Sequence, residues 1–194
     1  MKCQFHTLLH YDSTKPHKSN SNMNTEGDIN FKIYNAGLII LWPFLVSYFD
    51  RLSLIENAKF IDKESRNKAV YLLQYLVYNE VNFPEHELLL NKLLVGMSKK
   101  EHLTFIEDVS EQEKETSQSL LNGLISNWEK VRSSTPEAIQ ETFLQREGLL
   151  KLSEDKIVLK VEKKGVDILL DTISWSISIV KLPWMSRPIY IEWL

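Results

Sequence analysis

Five histidines, a single cysteine and a Glu-His-Glu triplet are the side chains of this 194-residue chain that could hold a metal or move a proton. In the triplet, Glu85 to Glu87, adjacent positions on a helix point in different directions and cannot close on one ion. Its plainer reading is a first-turn charge cluster, with His86 capping or packing locally. His6 and His10 are four apart and Cys3 lies near them, a spacing that suits a metal only if residues 1–11 are helical. His17 and His102 are isolated in sequence. No GxSxG, P-loop or GxGxxG is present, and the six glycines are scattered. The expectation is therefore a protein without catalytic residues, metal or cofactor.

The aromatic side chains offer more. The last twenty residues, WSISIVKLPWMSRPIYIEWL, hold Trp175, Trp184 and Trp193, three of the five tryptophans. Chain ends fray unless something ties them down, so an end this apolar is expected to be buried in its own domain or in a partner. Trp128 and Trp175 fall on apolar faces and read as core. Leu182, Pro183, Trp184 and Met185 form a proline-braced turn. They are the candidate partner-contact residues, because aromatic and methionine side chains are enriched in interface cores. Packing of Trp184 back over the protein is the competing reading.

The elements that must position these residues follow from periodicity. Residues 1–28 read as a polar tail and 29–194 as the module, helical over 36–147 and β-rich over 148–194. Ile29, Phe31 and Ile33 alternate as a short strand. Ala36 to Phe49 is apolar and uncharged but shorter than the ~20 residues of a membrane-spanning helix, and Pro43 interrupts it. It reads as a core helix starting at Pro43 after an irregular lead-in. Asp62 caps a helix over Lys63 to Tyr78. Pro84 opens the next helix, and Gly96 ends it. Ser110 and Glu113 form a capping box for a helix running to about Val131, with Glu111, Glu113, Lys114 and Glu115 as a solvated face. Thr135 and Pro136 start a fifth. Ile157 to Val161, Ile173 to Val180 and Ile189 to Trp193 read as three strands, the second with the cleanest period of two in the chain. The fold class is thus α+β, with about five helices and a small antiparallel sheet made mainly by the C-terminal strands.

Bulk properties bound the function. The apolar fraction of 43% and charged fraction of 25% are those of a globular protein. A net charge of -3 offers no basic stripe for nucleic acid. Residues 1–11 lack the apolar run of a signal peptide.

Several ordered blocks carry a family resemblance. They are NAGL–WPF (Asn35 to Phe44), AVYLLQYLV (Ala69 to Val77), PEHELLLNKLLVG (Pro84 to Gly96), ETFLQREG (Glu141 to Gly148), VEKKGVDILLD (Val161 to Asp171), WSISIVKLPWM and PIYIEWL. In this order they resemble the C-terminal module of the tape-measure proteins of contractile injection systems, the phage-tail-like machines of bacteria. The resemblance implies a structural, non-enzymatic assembly component in the tail tube, anchored near the baseplate or spike. It implies tail tube, spike or baseplate proteins as partners, self-association, cytoplasmic synthesis and assembly, and incorporation into the particle. About 30 residues before the module would reach only ~45 Å as a helix. The implied role is therefore anchoring or assembly rather than length setting. A short paralogue, a split product or a piece working beside another chain would each fit. The alternative is a peripheral membrane or chaperone-like adaptor that uses Ala36 to Phe49 as its contact.

Overall fold

The structure is a computed structural model, and it describes residues 29–193. The expected tail, with Cys3, His6, His10 and His17, lies outside the described residues.

The chain enters through β1 (Ile29–Ile33), then winds into a 3-10 helix over Ala36–Phe44 and α1 (Leu45–Arg51). Pro43 sits within the 3-10 segment, and the regular helix forms only after it. Ala36 to Leu41 is wholly buried, so the apolar run lies at the centre of the core. A small hairpin of β2 (Ile55–Glu56) and β3 (Lys59–Phe60) follows. Asn57 and Ala58 turn it with φ of 50° and 59°, the two positive values of a type I′ turn.

Helix α2 (Lys63–Tyr78) starts where Asp62 accepts the Ser65 N–H at 2.7 Å, and it ends at Asn79 in the left-handed conformation. Its buried face runs through Ala69, Leu72, Leu73 and Leu76. Pro84 precedes a 3-10 turn (Glu85–Leu88) rather than opening the α-helix itself, which is α3 (Leu89–Leu94). The Met97 N–H reaches the Lys92 carbonyl and the Gly96 N–H the Leu93 carbonyl, a Schellman closure with Gly96 at φ 75°.

Helix α4 (Glu111–Asn127) carries the capping box of Ser110 and Glu113. The polar first turns are not solvated throughout. Glu113 is buried and paired with Lys68 of α2, so this residue pins two helices together. α4 gives way to a 3-10 turn at Glu129–Val131. Thr135 caps α5 (Pro136–Ile139), and a π-helical turn over Gln140–Leu144 follows.

The sheet has five strands in the order β1-β4-β5-β7-β6. β4 (Gly148–Leu152) and β5 (Ile157–Val161) form an antiparallel hairpin, and β1 pairs antiparallel with β4. β7 (Ile189–Trp193) lies parallel to β5, and β6 (Ile179–Val180) pairs antiparallel with β7. The fold is α+β, and the sheet is mixed rather than purely antiparallel. A parallel pair needs a long crossover. Here residues 162–188 supply it, which explains why most of the expected Ile173 to Val180 strand is no strand.

Only Ile179 and Val180 join the ladder. Ile173, Trp175 and Ile177 turn half-buried against the core instead. Trp175 donates its indole N–H to the Ile40 carbonyl at 3.1 Å, and Trp42 donates to the Ser176 carbonyl at 2.8 Å. The period of two thus describes which side faces the protein, not a hydrogen-bonded strand. Before this segment, the crossover winds through a 3-10 helix over Gly165–Thr172.

Candidate functional site

The blocks separated in sequence meet at two buried polar braces. In the first, Asn35 donates to Gln74 Oε1 at 2.9 Å and to Asn91 Oδ1 at 2.7 Å. Asn91 in turn donates to the Val70 carbonyl at 3.0 Å. Buried amides cost free energy unless paired, so this cluster fixes the 3-10 lead-in against α2 and α3 in one register.

The second brace is Arg146, on the short link between the π-helical turn and β4. Its guanidinium is fully buried and makes a bidentate pair with Asp167 at 2.6 and 2.9 Å. It also donates to the Glu162 carbonyl. Asp167 accepts the Lys164 N–H and the Trp193 indole N–H, both at 2.8 Å. The Arg146 guanidinium lies 5.4 Å from the centre of the Trp193 ring. Burial pushes the Asp167 carboxyl up, but Arg146, the Lys164 N–H and the Trp193 indole together hold it below its ordinary value. The brace therefore locks the crossover and the last strand to the helical half. Nothing in residue spacing alone pairs Arg146 with Asp167; their positions in the ETFLQREG and VEKKGVDILLD blocks were the only signal.

The candidate contact turn sits at the far end of the crossover. Leu182 and Met185 are buried, Trp184 is half-buried and Pro183 is exposed. The Leu182 N–H points at the Met185 sulfur at 3.2 Å. Trp184 donates to the Leu94 carbonyl at 2.7 Å, and its ring packs 5.0 Å from Phe60 and 5.7 Å from Phe49. Gly96 makes this approach possible, since a Cβ there would stand 2.6 Å from the Trp184 carbonyl oxygen. Beside the turn lies an open cleft of about 590 Å3, bounded by Met185, Arg187, Leu93, Met97, Lys99 and Leu152. Of the four turn residues, Pro183 and one side of Trp184 face outward, and Met185 lines the cleft.

The charged triplet lies in the first turn of the Glu85–Leu88 segment, and Glu85 has a further partner that its spacing did not show. The His86 side chain is 81% exposed with its Nε2 3.9 Å from Glu87, and His102 is 94% exposed. Glu85 instead pairs at 2.8 Å with Lys92, whose side chain is only 3% exposed. The Lys92 ammonium also donates to the carbonyls of Lys99 and Glu101. This buried lysine thus ties down the start of the 98–109 connection. Asn67 holds its middle, giving and taking one hydrogen bond each with the Thr104 backbone at 2.7 and 2.9 Å. Among the described residues no group of three His, Cys, Asp or Glu side chains could hold a metal ion. No helix among them is long and apolar enough to cross a membrane.

These features define a braced α+β scaffold with a proline-braced turn and an open cleft on its surface. The family model for the contractile injection system tape measure protein matches residues 6–193, and the chain belongs to that family. The match begins inside the segment expected to be a tail. No curated protein and no solved structure matches the chain.

Proposed function

We propose that this protein is a non-enzymatic assembly component of a bacterial contractile injection system, anchored near the baseplate or spike end of the tail tube. The observation that carries this reading is the family match across residues 6–193. The geometry supports it in kind. The buried charges among the described residues, Arg146 with Asp167, Lys92 and Glu113, serve as braces and are not aimed into a pocket. Family membership implies association with other injection-system components. Leu182, Pro183, Trp184 and Met185, with the cleft beside them, are the docking turn in this reading. Tail tube, spike and baseplate proteins are the partners it names.

The test is capture of the tagged chain from its native host, with mass spectrometry of the co-purifying proteins. Recovery of tube, spike or baseplate proteins, reduced by Trp184→Ala at unchanged expression, is the expected result. A chain that leaves no trace on tail proteins present in the same lysate overturns the reading.

A further inference from the structure

The outer face of the sheet carries a stripe that lies outside the packed core of the described residues. Side chains alternate across a strand, so Leu149, Val158 and Tyr190 point away from the face formed by Leu150, Leu159 and Ile191. Neither Leu149 nor Val158 belongs to the packed apolar cluster. The register places Val158 beside Tyr190 and Tyr190 beside Ile179, with Leu149 on the diagonal from Val158. The result is a continuous apolar diagonal over four strands. Ile179 is 51% exposed and Tyr190 36%. A sheet with one solvated face ordinarily alternates apolar-in and polar-out. Single surface apolar residues need no explanation, whereas an aligned row marks a contact surface.

Charge says what kind of contact. Lys151, Lys156 and Lys160 surround this stripe, and Lys156 lies 4.9 Å over the Tyr190 ring. Glu192 is the carboxylate among them. Its Lys160 partner at 2.7 Å, with Lys156 and Lys151 further off, holds it below its ordinary value. At the β1 end the charges balance, with Lys32 paired to Glu147 at 2.8 Å. There Leu149 floors a shallow depression of about 390 Å3 edged by Lys32, Glu147, Lys160 and Glu162. Glu154 and Asp155 stand at the tip of the β4–β5 hairpin, beyond the stripe. The stripe is thus locally basic on a chain of net charge -3.

We propose that this face is a second docking surface, and that its occupant is an acidic protein segment of another injection-system component with an apolar side laid along Leu149, Val158, Tyr190 and Ile179. The proposal rests on the assembly reading given above and adds the partner's chemistry. Opposite charge steers the segment onto the lysines, and the apolar diagonal supplies the buried contact.

The experiment uses the full chain in particles purified from the native host. A variant with Lys151→Glu, Lys156→Glu and Lys160→Glu is compared with one carrying Lys130→Glu, Arg132→Glu and Lys163→Glu, three exposed positions outside both the stripe and the cleft. The first is expected to lose incorporation by at least about tenfold at an unchanged melting temperature, and the second to incorporate normally. A photo-crosslinking residue at Val158 is expected to join a net-acidic protein segment. Equal incorporation of both folded variants overturns the proposal, as does a cross-link to a basic segment or none at all in incorporated protein. Sedimentation of the wild type with phosphatidylglycerol vesicles, lost on reversal of the three lysines, overturns it in favour of a lipid surface. Absence of the wild-type chain from particles is a different failure and sinks the assembly reading itself.

Discussion

Arg146 and Asp167 are 21 positions apart in sequence and form a bidentate ion pair at 2.6 and 2.9 Å, with side-chain exposures of 0% and 3%. The pair joins the link before β4 to the crossover after β5, and Trp193 closes on it from the last strand. Removing one member of a buried pair leaves an unmatched charge, which costs about 3–5 kcal/mol. Arg146→Met is expected to lose stability in that range by denaturant unfolding. Arg146→Met with Asp167→Leu is expected to recover a large part of the loss, because replacing both charges by apolar groups is often near neutral. A double variant no more stable than the single one would mean that the hydrogen bonds to Glu162 and Trp193 matter more than the charge balance.

Acid should act on this same brace. The folded protein holds the Asp167 carboxyl below the ordinary aspartate value of 3.8. A group with a lowered folded pKa stabilises the protein above its unfolded value, and that contribution disappears as pH falls through the folded value. Stability is therefore expected to drop below about pH 4 in the wild type. Asp167→Asn should be less stable at neutral pH and show a shallower decline between pH 5 and pH 2. Parallel curves for the two proteins would show that other carboxylates, Glu113 first among them, govern the acid limb.

The local elements were legible because their causes are local. Asp62, Ser110 with Glu113, and Thr135 with Pro136 each sit where a helix starts, since a cap is a short-range hydrogen bond. The strand at Ile29 was equally plain. What periodicity could not supply was partnership. Ile173 to Ser178 has the alternation of a strand, but a ladder needs a neighbour, and the parallel pairing of β5 with β7 takes that place. Glu113 read as solvated because its partner Lys68 lies on another helix. The candidate turn at Leu182 to Met185 was visible as composition, whereas its packing depended on Gly96 and Leu94, ninety residues away.

Two glycines should respond oppositely to the same substitution. A Cβ on Gly37 would stand 1.7 Å from the Phe143 carbonyl oxygen, so Gly37→Ala must push apart the 3-10 lead-in and the π-helical turn. Overpacking of this kind costs about 1–3 kcal/mol or more. Gly123 lies inside α4 with nothing within 4 Å of such a Cβ. Gly123→Ala is expected to stabilise by roughly 0.5–1 kcal/mol through helix propensity. Thermal melts of the two variants give the comparison. A destabilised Gly123→Ala would point to a close contact at that helix face outside the described residues.

The C-terminal strand offers the sharpest distinction between folding and docking. β7 is an interior strand, flanked by β5 on one side and β6 on the other, and Ile189 is wholly buried. Deleting PIYIEWL removes Ile189, Ile191 and Trp193, each contributing ~1.5–3 kcal/mol of burial, together with one arm of the Arg146 brace. The truncated chain is expected to lose several kcal/mol, comparable with the whole stability of many domains, and to lose its cooperative unfolding transition. Ile189→Ala is the milder probe, with an expected loss of about 2–5 kcal/mol at retained fold. Tyr190→Ala in the same strand should leave the melting temperature nearly unchanged, because its side chain lies on the outer face rather than in the core. If the truncated protein melts where the full chain does, β7 is dispensable for folding and its natural neighbour belongs to a partner.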